Sequence, residues 1–316
     1  MYSEVFPYFR KFIKEVNSEF DFDFVPKDYW LESTPFQEAL ILENMKMKGY
    51  KLHNRQKPWN LKHSLKAMTT YGKFHALSFA IKDQKPEVFK HLTKSVQNSG
   101  KYINFEYLNQ SFGSHLRNVL KLLKSANRND LAIKFEEKFE SIIYTPLEEN
   151  DKFVIGHGDC WNNNFVFKYR NGDETSPSKV ILLDFQMSTW ETPVYDLAFI
   201  IYMTSDKSSL GRLDLLLETY YESLSKSLRI LGSNPDEIFT FEQLKQHWKK
   251  YSAFGLRLSS KLLKMELMND GDVPDLEKMV EENVPFEDWF NIKSEALEEY
   301  NRRILNVFIH YGENFL

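Results

Sequence analysis

Apolar residues recur every three or four positions over most of the chain, which is the spacing of one face of an α-helix. Near the N-terminus this pattern predicts an amphipathic helix over residues 2–16, and the longest stretch predicts a helix over residues 61–82. The apolar stripe of the long helix includes His75, which we interpret as a core histidine with satisfied hydrogen bonds rather than as a ligand. Further helices are predicted within residues 86–143, within residues 208–262 and from residue 292 onward.

Short apolar runs predict strands at residues 39–42, 153–155, 165–167 and 180–183. The first of these runs is predicted to be buried. The last two flank a turn at Asn171, Gly172 and Asp173, and together they predict a β-hairpin.

The composition is that of a folded protein in a reducing compartment. Of 316 residues, 42% are hydrophobic and 15% are aromatic, which is enough to build the core of one large domain or of two lobes. The net charge of −4 argues against nucleic acid as a partner, and a single cysteine, Cys160, excludes an intramolecular disulfide. No signal-peptide pattern and no run of 18 apolar residues is present, so we expect a cytoplasmic protein without a membrane partner. The chain is acidic between Glu266 and Asp288, and we interpret that stretch as a solvated loop.

The most informative polar residues lie around the predicted hairpin. His157, Gly158 and Asp159 follow the run at 153–155, Asn164 comes five residues after Asp159, and Asp184 follows the last hairpin strand. A carboxylate at the position of Asp159 can orient a hydroxyl nucleophile and accept its proton. Mg²⁺ prefers hard oxygen ligands, so Asn164 and Asp184 are the predicted metal ligands. The spacing therefore predicts a phosphoryl-transfer site rather than an ordinary exposed turn.

Several motifs carry a resemblance to a known family. They are HGDCWNNNFVFKY, VILLDFQMS and PVYDLAF, supported by ALILENMKMKGY and TTYGKFHALSFAIKDQKPEVF. These motifs resemble the ecdysteroid kinase-like family, which is grouped with choline kinases and aminoglycoside phosphotransferases. The resemblance extends from near Met1 to about residue 260.

The resemblance implies an α+β, protein-kinase-like bilobal fold with a truncated N-lobe and a mainly helical C-lobe. Residues 1–45 would be the remnant of the N-lobe, with a helix and two strands that end at the hinge. Residues 46–316 would be the helical C-lobe that carries the catalytic loop and the hairpin. At the hinge, residues Glu43, Asn44 and Met45 would bind the adenine ring of ATP.

The resemblance also implies supporting residues and a reaction. His157 and Asp196 would hold the catalytic loop in shape, and Asp196 is in addition a good helix N-cap residue. The cofactors implied are ATP and Mg²⁺, and the substrate implied is a small molecule with a hydroxyl group, similar to an ecdysteroid sterol. Cys160 lies inside the loop, where we interpret it as a small packed side chain.

Two parts of a kinase-like site are missing from the sequence. They are a Gly-rich turn and a strand lysine ahead of the first helix, and Glu4 is a poorly aligned candidate for the glutamate that pairs with such a lysine. We therefore expect that this chain binds ATP weakly or not at all. The alternative function is a truncated or inactive pseudokinase that binds a ligand or a partner. A magnesium-dependent phosphohydrolase is a third reading, but no nucleophile or second-metal cluster supports it.

A sheet without its first strands would expose an edge along residues 39–42, so we also expect a partner that covers this edge.

Overall fold

The computed structural model describes residues 1–16, 19–96, 105–143, 145–148, 152–269, 271, 281–282 and 294–316. The helices are α1 (Val5–Val16), α2 (Leu61–Gln84), α3 (Pro86–Val96), α4 (Phe105–Ser125), α5 (Asn129–Glu137), α6 (Phe139–Ile143), α7 (Pro193–Thr204), α8 (Lys207–Leu210), α9 (Leu213–Ile230), α10 (Pro235–Ile238), α11 (Phe241–Tyr251), α12 (Ala253–Leu267) and α13 (Ser294–Phe315). The strands are β1 (Asp28–Glu32), β2 (Ala39–Leu42), β3 (Tyr50–Leu52), β4 (Val154–Ile155), β5 (Phe165–Tyr169), β6 (Pro177–Leu182) and β7 (Trp190–Glu191). This arrangement of many helices with a few short strands confirms the predicted α+β class.

The strands of the described residues pair into small antiparallel sheets. One sheet has the order β3-β5-β6, while β1 pairs with β2 and β4 pairs with β7. The β5–β6 pair is the predicted hairpin, with Phe165 opposite Leu182. β3, which the sequence pattern did not predict as a strand, joins the hairpin by placing Tyr50 opposite Lys168. The sheet therefore connects the segment after residue 45 directly to the hairpin.

The helix α2 forms the centre of the fold. Asn60 caps its N-terminus by accepting from the main-chain N–H of His63, and the side chains from Ala67 to Ile81 are mostly buried. This burial on nearly all sides arises because α3, α7, α9 and the hairpin all pack against it. The closest approach is to α9, where Gly72 has no side chain to separate the two backbones.

Replacement of Gly72 by Ala should destabilise the protein. A Cβ atom at this position would lie 2.7 Å from the Tyr220 carbonyl oxygen and 2.6 Å from Ser223 Cβ, so α2 and α9 would have to separate. We expect a loss of about 1–3 kcal/mol in the free energy of unfolding, measured by urea denaturation. The matched control is Gly113→Ala in α4, where the nearest contact would be an ordinary 3.6 Å to Phe139. There the gain in helix propensity should stabilise by about 0.5–1 kcal/mol.

The helix α1 packs against the centre of the fold through aromatic residues. The ring of Phe9 lies 6.5 Å from that of Phe74 on α2, and the ring of Phe6 lies 4.9 Å from that of Phe185, directly after Asp184. Glu4 lies just before α1, and its carboxylate is 3.6 Å from the imidazole of His91 on α3.

The predicted strand at residues 39–42 is confirmed as β2, but the prediction that it is buried was wrong. β2 pairs with β1 in a two-stranded sheet, and Ile41 is 54% exposed. The neighbouring apolar side chains Trp30 and Phe36 are 49% and 100% exposed. The apolar residues of this hairpin therefore face solvent. None of the helices in the described part of the chain combines the length and apolar character needed to cross a bilayer.

Candidate active site

The loop that follows β4 is held in place by one buried carboxylate. We refer to residues 157–164 as the His157–Asn164 loop. Asp196, in the first turn of α7, accepts hydrogen bonds from the main-chain N–H groups of His157 (2.7 Å) and Gly158 (2.9 Å). The Cys160 thiol lies 3.1 Å from the same carboxylate and is buried. The suggestion that Asp196 also caps α7 was wrong, because the N-cap is Thr192.

His75 stabilises the charged form of that carboxylate. Its Nε2 lies 3.2 Å from Asp196 Oδ2, and its Nδ1 lies 3.0 Å from the Tyr220 hydroxyl. Burial alone would raise the pKa of Asp196, but the hydrogen bond and charge of His75, together with His157, hold the pKa below its ordinary range. His75 is therefore a core histidine with both ring nitrogens bonded, and through Asp196 it supports the loop.

His157 links the loop to the end of the hairpin. Its Nε2 lies 2.8 Å from the Leu183 carbonyl oxygen, and its Nδ1 lies 3.2 Å from the main-chain nitrogen of Asp159. Because a carbonyl only accepts and an N–H only donates, Nε2 must carry the proton and Nδ1 must accept. Burial lowers the pKa of His157 and favours this neutral form. The histidine thus fixes the direction of the chain at Asp159.

Asp159 and Asn164 are joined by their side chains. Asn164 Nδ2 donates to both the carbonyl oxygen and the Oδ2 atom of Asp159, each at 2.9 Å. Burial raises the pKa of Asp159 to about 6, against the hydrogen bond from Asn164 and with the help of the charge on Asp184. Because the Asn164 nitrogen is committed to Asp159, its amide oxygen is the atom left to bind a cation.

Asp184, whose charge acts on Asp159, has an unusual backbone conformation. Its φ is +57°, which is uncommon for a residue other than glycine and is often found at functional sites. Leu183, just before it, donates to the Asn164 carbonyl oxygen at 2.9 Å, and the following Phe185 ring packs 4.4 Å from the His157 ring. The backbone of Asp184, whose side chain is exposed, is thereby fixed between two anchored neighbours.

Gly158 is required by the same close packing. Its φ is +78°, and a Cβ atom there would lie 2.1 Å from the Met187 carbonyl oxygen. Only glycine fits this combination of positive φ and close approach. The glycine of the motif therefore lets the loop lie directly against the segment that follows Asp184.

The predicted hinge residues lie beside a cleft of about 470 Å³. Glu43 and Met45 line it together with Tyr50 and Ile181, whereas Asn44 uses its side chain to accept from the Met47 N–H. The Glu43 N–H already donates to the Lys27 carbonyl oxygen at 2.8 Å. Of the three predicted hinge residues, Glu43 therefore offers no spare N–H to an adenine ring.

The cleft has an apolar floor and a cationic rim. Tyr50, Val166 and Ile181 form a small apolar cluster of the β3-β5-β6 sheet, against which Met45 packs. The lining also includes the cations Arg10, Lys27, Lys48, Lys168 and Lys179 and the acids Asp23 and Glu43. Lys48 is paired with Glu43 (2.9 Å), Lys179 with Asp23 (2.6 Å) and Arg10 with Asp28 (2.7 Å), so much of this positive charge is already neutralised.

Sequence patterns did not predict a second set of contacts on the loop. The Trp59 indole N–H donates to Asn162 Oδ1 at 2.9 Å, and the Asn162 N–H donates to Glu266 Oε1 at 3.0 Å. Glu266 is 1% exposed at the end of α12, so its interpretation as the start of a solvated loop was wrong. Of the rest of the acidic stretch, residues 270, 272–280 and 283–288 lie outside the described residues.

The oxygen atoms of Asp159, Asn164 and Asp184 fit a hard cation whose coordination is completed by another molecule. Asp159 and Asp184 are close enough for their charges to interact, and a cation between them would relieve that repulsion. Within the described part of the chain, no group of three or more His, Cys, Asp and Glu side chains could hold a metal ion alone. Mg²⁺ sites of this kind use one or two carboxylates and are completed by substrate phosphates.

An α+β fold with this loop, hairpin and pair of carboxylates defines a kinase-like protein. Residues 1–233 match the ecdysteroid kinase-like family, which is 233 of 316 residues, and the chain belongs to that family. Among solved structures, it is similar to an ethanolamine kinase of Plasmodium vivax, with 16% identity and a TM-score of 0.41 over 96% of this chain and 73% of that chain. No functionally curated protein matched the sequence.

Proposed function

We propose that this protein is an ATP- and Mg²⁺-dependent kinase that phosphorylates a hydroxyl group of a small molecule, with an ecdysteroid-like sterol as the substrate class. The observation that carries the proposal is the arrangement of Asp159, Asn164 and Asp184. The two side chains from the His157–Asn164 loop are hydrogen-bonded to each other, and the third lies close enough to shift the pKa of Asp159. The family to which the chain belongs supports the same reading.

Each residue has a distinct role in this reaction. Asp159 accepts a hydrogen bond from the substrate hydroxyl and takes its proton as the phosphoryl group is transferred. Its raised pKa of about 6 is closer to neutral pH than that of an ordinary carboxylate, which suits a group that must gain and release a proton. Asn164 orients that carboxylate through Nδ2. His157 and Asp196 keep the loop in this conformation.

The Asn164 amide oxygen and the Asp184 carboxylate would hold Mg²⁺. The ion would neutralise charge on the transferred phosphoryl group. The cleft beside Met45 and Tyr50 would take the adenine ring, because its apolar floor leads along β6 to Leu183 and Asp184.

The proposal is tested by nucleotide binding and turnover. Thermal-shift measurements, at ATP concentrations high enough to detect the weak binding expected from the sequence, should show stabilisation that requires magnesium, because the metal ligands are carboxylate and amide oxygens. ADP release should then depend on an added acceptor. The acceptor panel should contain hydroxylated sterols, including an ecdysteroid, with ethanolamine as a chemically different alcohol. Turnover with a sterol and not with ethanolamine would support the proposed substrate class.

Two outcomes would contradict the proposal. Magnesium-dependent binding without turnover on any hydroxyl would favour the inactive, ligand-binding alternative. A thermal shift that does not depend on magnesium would contradict the role of Asp184 and Asn164 as metal ligands. A matched control for nucleotide binding is Asp214→Asn, an exposed aspartate on α9, which should leave both measurements unchanged.

A further inference from the structure

We propose that Glu266, which lies beyond the residues that match the family, is a positioning residue for the His157–Asn164 loop and acts through the main-chain N–H of Asn162. The contact rests on geometry alone. Its importance for catalysis rests on the proposed function. Glu266 Oε1 lies 3.0 Å from the Asn162 nitrogen, and both residues are 1% exposed. A hydrogen bond to a carboxylate is stronger than a neutral one, and exclusion of water strengthens it further.

Asn162 connects the anchored part of the His157–Asn164 loop to the proposed catalytic residues. It begins the 3₁₀ turn Asn162–Asn164, and its side chain accepts from the Trp59 indole at 2.9 Å. Two residues later, Asn164 donates to the Asp159 carboxylate. A displacement of Asn162 would therefore move the amide that orients the proposed base.

Glu266 is itself anchored by the segment that precedes α2. Arg55 Nη1 donates to the carbonyl oxygens of Met265 (3.0 Å) and Glu266 (2.7 Å). Gln56 Nε2 donates to the Met268 carbonyl oxygen at 3.2 Å. These donors bind main-chain acceptors that the end of α12 leaves without helical partners. The last turn of α12 is thus fixed relative to Trp59, and both hold Asn162.

The rest of the Glu266 environment does not account for a buried carboxylate. Among the described residues, Arg303 on α13 is the cation paired with Glu266, but its Nη2 lies 3.8 Å from Glu266 Oε2. Glu266 Oε2 and Arg303 Nη1 have no hydrogen-bond partner within the described residues. Burial raises the pKa of Glu266 to about 7 despite the charges of Arg303 and Arg55. A pair of apolar side chains of similar volume would destabilise the folded protein less than this ion pair. The well-formed hydrogen bond to the loop is the interaction that a carboxylate makes here and an apolar side chain does not.

Hydrogen exchange at the Asn162 amide tests the contact directly, without substrate. Glu266→Leu removes the acceptor, and the Asn162 amide should exchange about 10- to 100-fold faster. Glu266→Gln keeps an acceptor oxygen and should restore most of the protection. The internal reference is the buried Ile155 amide, which donates to the Ser78 hydroxyl at 3.0 Å. Its exchange reports any loss of global stability, and the acceleration at Asn162 should exceed that at Ile155.

A double variant separates positioning from stability. In Glu266→Leu with Arg303→Met, no uncompensated buried cation remains, and the melting temperature should return towards that of the wild type. The Asn162 amide should nevertheless remain unprotected, and kcat should fall about 10-fold or more with an unchanged KM for ATP. If Glu266→Leu alone does not fold, the double variant and Glu266→Gln are compared with the wild type instead.

Two results would overturn the proposal. One is an Asn162 amide as protected in the double variant as in the wild type. The other is fast exchange in the double variant together with unchanged kcat, which would make the contact structural only. If the wild type has no phosphotransfer activity, the proposed function fails, but the exchange measurement still decides whether Glu266 holds the loop.

Discussion

Asp159→Asn should abolish phosphotransfer while the protein remains folded. The carboxylate is the only group of the joined Asp159–Asn164 pair that can accept a proton, and general-base catalysis contributes on the order of 10² to 10⁴ in rate. An asparagine can still accept the hydrogen bond that Asn164 Nδ2 donates at 2.9 Å, so the loop should keep its shape. Steady-state ADP release, with Asp214→Asn as the control, measures the effect. Turnover near that of the wild type would mean that Asp159 is not the base.

The same substitution should stabilise the protein in the absence of magnesium. Burial raises the pKa of Asp159 to about 6 in the folded state, above the value of about 4 expected when unfolded. As the pH rises from 4 to 6, the unfolded chain loses its proton first, so wild-type stability falls and the loss is complete above pH 6. Asparagine has no such titration. The free energy of unfolding of the asparagine variant should therefore exceed that of the wild type by an amount that grows over this range to at most about 3 kcal/mol, measured by urea unfolding in EDTA. A constant difference between pH 4 and 7 would contradict this prediction.

The loop and the hairpin were predictable because their signals are local. A fixed spacing from His157 to Asn164, and two apolar runs around a turn, each depend on residues close in the chain. The stripe of α2 was predictable for the same reason, since helical periodicity is read within a short window. The predicted metal ligands and the predicted base lie together in the structure, although their roles remain predictions.

Whether a strand is buried depends on the elements that pack over it. The sequence of a short segment does not specify those elements. Residues 39–42 are as apolar as 180–183, yet β2 is exposed whereas Val180, Ile181 and Leu182 of β6 are at most 3% exposed. The difference is that β6 packs against α2 while β2 pairs only with β1 within the described residues. A four-residue apolar run is therefore a good predictor of a strand and a poor predictor of its surroundings.

Buried polar residues are the hardest to predict from sequence. Glu266 and Asn162 are 104 residues apart in the chain but share a hydrogen bond. Local patterns treat Glu266 as the first of many acids, although it lies between Met265 and Leu267, and this apolar context is the only signal of burial. Thr192 rather than Asp196 caps α7, because Asp196 lies inside the first turn, where its carboxylate binds His75 and a loop amide.

Asp184→Asn should weaken the binding of Mg-ATP without weakening the binding of free ATP. Asparagine tolerates the positive φ of +57° observed at this position, so the backbone should not change. The substitution removes one charge from a ligand that a hard cation prefers. The loss of a charge-assisted contact is worth about 1.5–3 kcal/mol, which is about 10- to 100-fold in affinity. Titration calorimetry with magnesium and with EDTA measures both affinities.

A comparison with Asp184→Ala separates charge from backbone strain. Alanine removes the charge as well, but it is less tolerant of positive φ, so it should also reduce the free energy of unfolding by about 1 kcal/mol or more. Because Phe185 is held by the rings of Phe6 and His157, that strain should remain at residue 184 rather than spread along the chain. Both variants should then lose Mg-ATP affinity to a similar degree, while only the alanine variant loses stability. Equal losses of affinity for ATP with and without magnesium would show that Asp184 contacts the nucleotide through something other than a metal ion.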